Sequence, residues 1–467
     1  MPEFLKYVLE LLRNSLILVL LGAVAAAAVL FLANWLHKRK HGGERPFPWK
    51  KSILCIAMVG YLFIVLYATL LRMAGGFRQY NFHLFRAWLD AWNHFSVKSF
   101  ANLLLNIAMF LPLGLLLPLL DARLRRWHYV TITGFSLSLA IEMIQLAACR
   151  GVWDIDDLFC NTLGALIGYW IIMTILMLYT PANRKKSIRY GILSLASLLT
   201  ISSLFLLYHT QEYGNLPNSP SYTNPTADVQ WTLACQLPAG DNNAPIYQNQ
   251  PRSKQDCDVF AEAFREIVTA EYNTISYYEE AAYYMDNSID GGAHFLFVNY
   301  SDQGYTYSGL YETELPWLEG DRKTLEKALE EFPVEIPESA AFQSEDQGWY
   351  RFSVELFVDG DRMLDGTLRV RCTQDGAVCD IENDLLSYTY YDTVKILSPE
   401  EAYRQLCAGR FNDEGRFEWV KPKQLTVISC ALGYAIDTKG FYQPVYYFEV
   451  VSPDNAYHCQ ILIPAMQ

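Results

Sequence analysis

The segment NLLLNIAMFLPLGLLLPLL, residues 102–120, decides the fold class of this chain. It contains no charged residue, and at about 1.5 Å per residue it is long enough to cross a hydrocarbon core about 30 Å thick. Five similar apolar runs share the first half of the chain, at residues 14–36, 53–72, 129–148, 158–179 and 190–208. Residues 1–209 are therefore predicted to form an all-α polytopic membrane helix bundle of about six spans.

The loops between these runs predict how the bundle is oriented. The loops after the first, third and fifth runs are basic, with clusters at Lys38, Arg39, Lys40; at Arg123, Arg125, Arg126; and at Arg184, Lys185, Lys186, Arg189. Basic loops are retained on the cytoplasmic side of bacterial membranes. We therefore expect a multi-pass protein of the bacterial cell membrane, with its N-terminus and everything after residue 208 extracytoplasmic.

The charge of the chain is divided between its two halves. Residues 1–209 contain 20 Lys and Arg against 9 Asp and Glu, whereas residues 210–467 contain 17 against 41. An acidic second half disfavours binding to nucleic acid and to anionic lipid headgroups, because both ligands are negatively charged. We expect no nucleic-acid partner and interpret the second half as a soluble extracytoplasmic domain.

The second half has the patterns of an α+β domain. Residues 210–250 are rich in turn formers without periodicity and are predicted to be a linker, followed by an acidic α+β domain with an antiparallel sheet at residues 251–467. Residues 255–286 have an amphipathic helical pattern. Ser398-Pro399-Glu400-Glu401 is typical of a helix start, and Gly409 ends that helix.

Two cysteines predict a cross-link in this domain. Asp375-Gly376 is a typical two-residue hairpin turn, and that register places Cys372 opposite Cys379. Paired residues on adjacent strands lie about 5.5 Å apart between Cα atoms, within the range for a disulfide. The pair is interpreted either as a disulfide of an exported domain or as two small buried side chains.

Catalytic and cofactor motifs are missing from the second half of the sequence. It has no Gly-x-Ser-x-Gly elbow, no His-Glu-x-x-His motif, no phosphate loop and no dinucleotide fingerprint. His294 and His458 fit strand positions better than ligand positions. We therefore expect no cofactor, no bound metal and no catalytic residues.

Polar residues in the apolar runs indicate a site, since ionisable groups in spans are costly and usually face the bundle interior. Ser138, Glu142 and Gln145 share one face of the fourth span. The predicted topology gathers ten polar residues in the outer leaflet: Arg72, Asn106, Ser138, Glu142, Gln145, Arg150, Asp154, Asp156, Asp157 and Asn161. In the fifth span, Gly164 and Gly168 are predicted to allow close helix packing.

Three interpretations of this cluster remain open. Its side chains could pair only with one another and hold the bundle together. They could instead form an outward-facing pocket, in which arginines and amides bind a phosphate or an acidic headgroup. They could also form an intramembrane enzyme site, with Glu142 as the acid or base and the aspartates on a divalent cation.

The same residues resemble the VanZ-like family of bacterial membrane proteins. The matching motifs, in order over residues 61–168, are the run from Tyr67 to Arg72, Asn106 to Gly114, Ser138 to Gln145, Arg150 to Asp157, and Asn161 to Gly168. This resemblance implies an envelope membrane protein, and the family's founding member raises resistance to teicoplanin, a lipid-tailed glycopeptide. The acidic second half departs from the family pattern.

The resemblance leads to an expected function with two alternatives. We expect a non-enzymatic envelope protein whose pocket binds a membrane lipid or a lipid-linked envelope molecule. We also expect its C-terminal domain to bind a membrane or wall partner. One alternative is an intramembrane enzyme acting on a lipid-linked envelope substrate. The other is an envelope sensor that signals through a membrane partner.

Overall fold

The computed structural model divides the chain into two compact units, Met1–Glu212 and Tyr213–Gln467. It describes residues 22, 24–40, 47–71, 79–149, 152–179, 184–238, 242–278, 281–289, 292–309 and 317–467.

The first unit is built from helices. They are α1 (residues 24–40), α2 (Trp49–Leu66), α3 (Arg86–His94), α4 (Val97–Leu120), α5 (Trp127–Ala147), α6 (Ile155–Leu178) and α7 (Arg184–Thr210). A π-helical turn, Tyr67–Leu71, continues α2, and a 3-10 turn, Ala122–Leu124, separates α4 from α5. Two short strands, β1 (Gln79–Asn81) and β2 (Val152–Asp154), pair in parallel.

Five helices of the described chain are long and apolar enough to span a membrane. They are Trp49–Thr69, Lys98–Leu120, Trp127–Ala147, Ile155–Leu178 and Arg184–Thr210. This confirms the predicted polytopic all-α bundle. The first predicted run, residues 14–36, lies partly outside the described residues, and its described residues 24–36 belong to α1.

Glycines bring α4 and α6 into direct backbone contact. A Cβ atom added to Gly164 would collide with the carbonyl oxygen of Ile107, and one added to Gly168 with that of Leu111. Gly114 of α4 meets the carbonyl oxygen of Ala165 in the same way. The predicted close approach through Gly164 and Gly168 is therefore confirmed, because no side chain fits between the two helices.

The second unit contains one large, mostly antiparallel sheet of 14 strands. Its strands are β3 (Gln230–Leu233), β4 (Asn243–Gln248), β5 (Thr274–Tyr277), β6 (Ala281–Ile289), β7 (Gly292–Asn299), β8 (Tyr305–Gly309), β9 (Ala341–Ser344), β10 (Trp349–Asp359), β11 (Arg362–Cys372), β12 (Val378–Asn383), β13 (Leu386–Lys395), β14 (Gln424–Ile436), β15 (Phe441–Val451) and β16 (His458–Pro464). Along its main path the order is β3-β14-β15-β4-β13-β11-β12-β8-β7-β6-β5, while β10 pairs with β9 and β11, and β16 pairs with β15. Among the described strands of this sheet, only β3 and β14 pair in parallel.

Two main hydrophobic cores lie against this sheet. In the first, α8 (Lys254–Val268) and α9 (Arg322–Ala328) share a buried cluster with strands β6 to β12, including Phe264 and Phe352. In the second, α10 (Pro399–Cys407) and α11 (Arg416–Val420) share one with β14 to β16, including Phe448. The predicted α+β domain with an antiparallel sheet is confirmed.

The segment predicted as a linker, residues 210–250, instead contributes two strands to the sheet. It contributes β3, which pairs with β14, and β4, which pairs with β13 and β15. Ile246 is completely buried, and Leu216 belongs to a small core with Val445. Turn-forming residues predict bends at the surface, but they do not predict strands whose pairing partners are distant in sequence.

Two other local predictions have different outcomes. The helix predicted over residues 255–286 ends at Val268, since Thr269 adopts a left-handed conformation, and the rest of the segment enters β5 and β6. The helix start at Ser398 is confirmed by a complete capping box with Glu401.

The hairpin around Asp375 has a register different from the prediction. Thr373 closes the turn with Ala377, and Gly376 takes a positive φ of 91°. The loop is therefore one residue longer than predicted, and Cys372 lies opposite Val378 rather than Cys379. A β-bulge follows, because Arg371 pairs with Asp380. Cys372 and Cys379 are both buried, free thiols.

We predict that Cys372 and Cys379 form a disulfide when the protein is exported, because the bulge sets Val378 and Cys379 together opposite Cys372. Burial, together with the charge of Cys379, raises the pKa of Cys372 to about 12, so this thiol is protonated at neutral pH in the reduced protein. Non-reducing mass spectrometry of the full chain from an exporting host should find the two cysteines linked. Alkylation of both after denaturation would contradict the prediction, and buried Cys257 serves as the control thiol.

Candidate functional site

The predicted polar residues meet at one end of the bundle, where α4 and α6 begin and α5 ends. Asn106 of α4 donates from Nδ2 to the Oδ1 atom of Asp157 on α6. One turn deeper in α6, Asn161 Nδ2 donates to Ser138 Oγ on α5 at 2.9 Å, and both side chains are buried. These two hydrogen bonds, both from neutral amide donors, link α4 to α6 and α6 to α5.

Glu142 is tied to the parallel strand pair that covers this end. Its Oε2 atom accepts from the backbone N–H of Asp154 at 3.2 Å, and the side chain is only 2% exposed. Asp154 in turn accepts from Asn81 Nδ2 at 2.9 Å and caps the first turn of α6. Burial raises the pKa of Asp154, although the hydrogen bonds from Asp156 N–H and Asn81 oppose this effect.

Asp156 has a different role from the one predicted. It is completely buried, and its carboxylate accepts from the backbone N–H groups of Phe85 at 2.6 Å and Ala87 at 2.7 Å. These are orphan donors at the start of α3, so Asp156 caps a helix that lies about 70 positions earlier in the chain. Both oxygens of this carboxylate therefore serve to cap α3.

The structure describes one of the three remaining predicted residues, Gln145. Gln145 donates from Nε2 to the carbonyl oxygen of Thr69 at 3.0 Å, which ties α5 to the end of α2. Arg72 and Arg150 lie outside the described residues. Glu142, Asp157, Asn161, Ser138 and Asn106 therefore form the centre of the site, and this set is called the polar site below.

Two features of the site were not predicted from the sequence, the bond from Asn81 to Asp154 and helix α3. Asn81 lies 73 positions before Asp154 and meets it only through the parallel pairing of β1 with β2. Three-residue strands have no periodicity that could reveal them. Helix α3 did have a signal, because Ala87, Trp88 and Ala91 recur at helical spacing and pack into the bundle.

Exposed aromatic side chains border the polar site. Phe82 is 67% exposed and contacts Trp153 with ring centroids 4.8 Å apart, while Tyr80 stacks on Phe82. Phe85, at the start of α3, packs edge-on against Phe159 of α6 at 5.2 Å. Aromatic rings concentrate where a membrane meets water, so these positions fit the headgroup level of a bilayer.

The polar site contains two carboxylates, those of Glu142 and Asp157. Among the described residues, no group of three or more His, Cys, Asp and Glu side chains could hold a metal ion. The hydrogen bonds of Glu142 and Asp157 come from neutral donors. The polar site therefore presents acceptor oxygens in an apolar surrounding.

A family model described as VanZ/LLP1 matches residues 52–178. This segment is VanZ-like. The match includes every residue of the polar site and covers 127 of the 467 residues. It confirms the resemblance drawn from the motifs at residues 61–168, and the matched residues extend from α2 to the end of α6.

Two comparisons concern the chain as a whole. A solved structure of the Bacillus megaterium YpeB C-terminal domain matches 47% of this chain and 100% of its own chain, at 12% identity and a TM-score of 0.17. A TM-score this low does not establish a shared arrangement of strands. No curated protein matches the chain.

Proposed function

We propose that this chain is a non-enzymatic VanZ-type protein of the bacterial cell envelope. It binds the polar head of a lipid-linked or lipid-tailed envelope molecule at the polar site, and through this binding it lowers susceptibility to teicoplanin-type glycopeptides. The observation that carries the proposal is the cluster of polar side chains at one end of an apolar bundle, in which Glu142, Asn161 and Ser138 are buried and Asp157 and Asn106 are half-buried. Buried polar groups of this kind in spans usually serve ligands.

The surroundings of the polar site support a ligand that is part lipid. Asp157 is half-buried, so the site is reachable from the end of the bundle. Phe82 and Phe85 are exposed beside it and offer apolar surface for an acyl tail. A molecule held between headgroup and hydrocarbon contacts both kinds of surface.

The proposal also places the polar site and the C-terminal unit on the extracytoplasmic side of the cell membrane. The basic loops at Arg123–Arg126 and Arg184–Arg189 support this orientation, since they belong to the other end of α4, α5 and α6. We propose that the acidic C-terminal unit binds a membrane or wall partner of the same envelope.

The test is drug susceptibility in a sensitive Gram-positive host. Expression of the full chain should raise the inhibitory concentration of teicoplanin several-fold and leave that of vancomycin, which has no lipid tail, unchanged. Glu142→Ala should abolish the rise. Ser187→Ala is the matched control, because Ser187 is also buried but bonds to Thr174 at the other end of α6.

Two results would count against the proposal. One is equal teicoplanin susceptibility with and without the wild-type chain. The other is a protective effect that survives Glu142→Ala, since it would separate protection from the polar site. The amount of each variant in the membrane is measured in parallel.

A further inference from the structure

Three half-buried cysteines lie near the second core of the C-terminal unit. Cys235 comes two residues after β3, Cys430 lies in β14, and Cys407 is the last residue of α10. Cys235 and Cys430 pack against the same buried cluster, although their positions in the sequence are far apart. Two thiols on one core are candidates for a covalent cross-link if their backbones are close enough.

The pairing of β3 with β14 brings the backbones of Cys235 and Cys430 together. The two strands run in parallel, and the last pair of their register is Leu233 with Val427. The contact continues beyond β3, because the N–H group of Ala234 donates to the carbonyl oxygen of Val427 at 2.9 Å. Cys235 is the next residue, so it lies beside the part of β14 that follows Val427.

A bulge in β14 places Cys430 at that position. In the pairing of β14 with β15 the register shifts between Val427 and Ser429, which makes Ile428 an extra residue. The bulge turns Ser429 outward, and Cys430 becomes the first residue after Val427 to pack against the core. Adjacent strands lie about 4.8 Å apart, within the range of about 4.4–6.8 Å between Cα atoms that a disulfide spans.

Electrostatic effects among these side chains support the same proximity. Burial raises the pKa of Cys430 to about 12, and the charge of Cys235 contributes to this rise. Burial also raises the pKa of Tyr403 to about 12, followed by a hydrogen bond with Cys407 and by the charges of Cys407 and Cys235. Because such effects weaken with distance, Cys235 lies near Cys430 and also near the Tyr403–Cys407 pair.

We propose that Cys235 and Cys430 form a disulfide that fastens β3 to the sheet. The two thiols lose two protons and two electrons as the S–S bond forms. The oxidant is the disulfide of another thiol compound, which takes up these protons and electrons and separates into two thiols. This inference is independent of the proposed function, because it depends only on the pairing of β3 with β14.

The position of β3 gives the bond a purpose. This strand stands at the end of the strand order and pairs with β14 through four residues. Cys235 and Cys430 are nearly 200 positions apart, so their bond closes a long loop. Closing a long loop restrains the unfolded chain strongly and therefore favours the paired state of β3.

The test maps the disulfide in the full chain. The protein is purified in detergent with a reductant, transferred to oxidised glutathione, denatured, alkylated and digested for non-reducing mass spectrometry. We expect the peptide of Cys235 to be linked to that of Cys430 in most molecules. Cys407→Ser is the matched control and should leave this link intact. Alkylated Cys235 in the oxidised wild-type chain, or a link from Cys235 to Cys407, would overturn the proposal.

Hydrogen exchange tests whether the bond fastens β3. Backbone amides of residues 230–235 should exchange about tenfold more slowly in the oxidised wild-type chain than in Cys430→Ser or in the reduced wild-type chain. Equal exchange rates before and after oxidation of the wild-type chain would overturn the fastening role. The wild-type comparison needs no variant, so it decides this point even if Cys430→Ser does not fold.

Discussion

Gly164→Leu should disrupt the membrane unit and lower the thermal midpoint of the full chain in detergent by about 10 °C or prevent folding altogether. A Cβ atom at this position collides with the carbonyl oxygen of Ile107, which is backbone and cannot rotate away. Helices α4 and α6 would have to separate, and with them Asn106 and Asp157, which bond across this contact. Heating followed by size-exclusion chromatography with fluorescence detection measures the midpoint.

Gly60→Leu is the matched control for this effect. Gly60 also lies in a candidate span, but a Cβ atom there meets no other atom within 4 Å. The same added volume should therefore leave the midpoint unchanged or slightly higher, since Leu favours the helix more than Gly does. Similar losses in both variants would mean that the tight α4–α6 contact is not what stabilises the bundle.

The membrane unit could be predicted well from its sequence. Long apolar runs have a period and a length that fix their structure without knowledge of partners. The seven residues between α5 and α6 force Glu142 and Asp157 to one end. The hydrogen-bond partners of the individual carboxylates could not be predicted. The capping of α3 by Asp156 depends on a pairing between segments far apart in sequence.

The second unit was harder to predict for the same reason. Strand β3 pairs with β14 nearly 200 positions later, and no local pattern indicates that partner. The hairpin at Asp375-Gly376 was predicted at the correct place in the chain, because both of its strands are local. Even there, a turn one residue longer than expected shifted the register at Cys372 and introduced a bulge. Turn length is set by a few backbone angles, such as the positive φ of Gly376, that the sequence only suggests.

Phe352→Ala should lower the free energy of unfolding of residues 213–467 by about 3–5 kcal/mol. Phe352 of β10 is completely buried in the core formed with α8 and α9, and its ring lies 5.0 Å from that of Phe342. Removing it opens a cavity between the sheet and α9, where Arg322 also packs over the ring at 6.0 Å. Urea unfolding of the isolated unit, followed by circular dichroism, measures the change.

Phe297→Ala makes the same substitution on the opposite face of the sheet. Phe297 of β7 is 38% exposed and alternates with the buried Leu296 and Val298, so its ring points away from the core. Its loss should cost less than about 1 kcal/mol. The comparison holds residue type and sheet constant and varies only burial. Equal losses from the two variants would mean that the face of the sheet opposite the helices is also packed, and that the core of this unit extends to both sides.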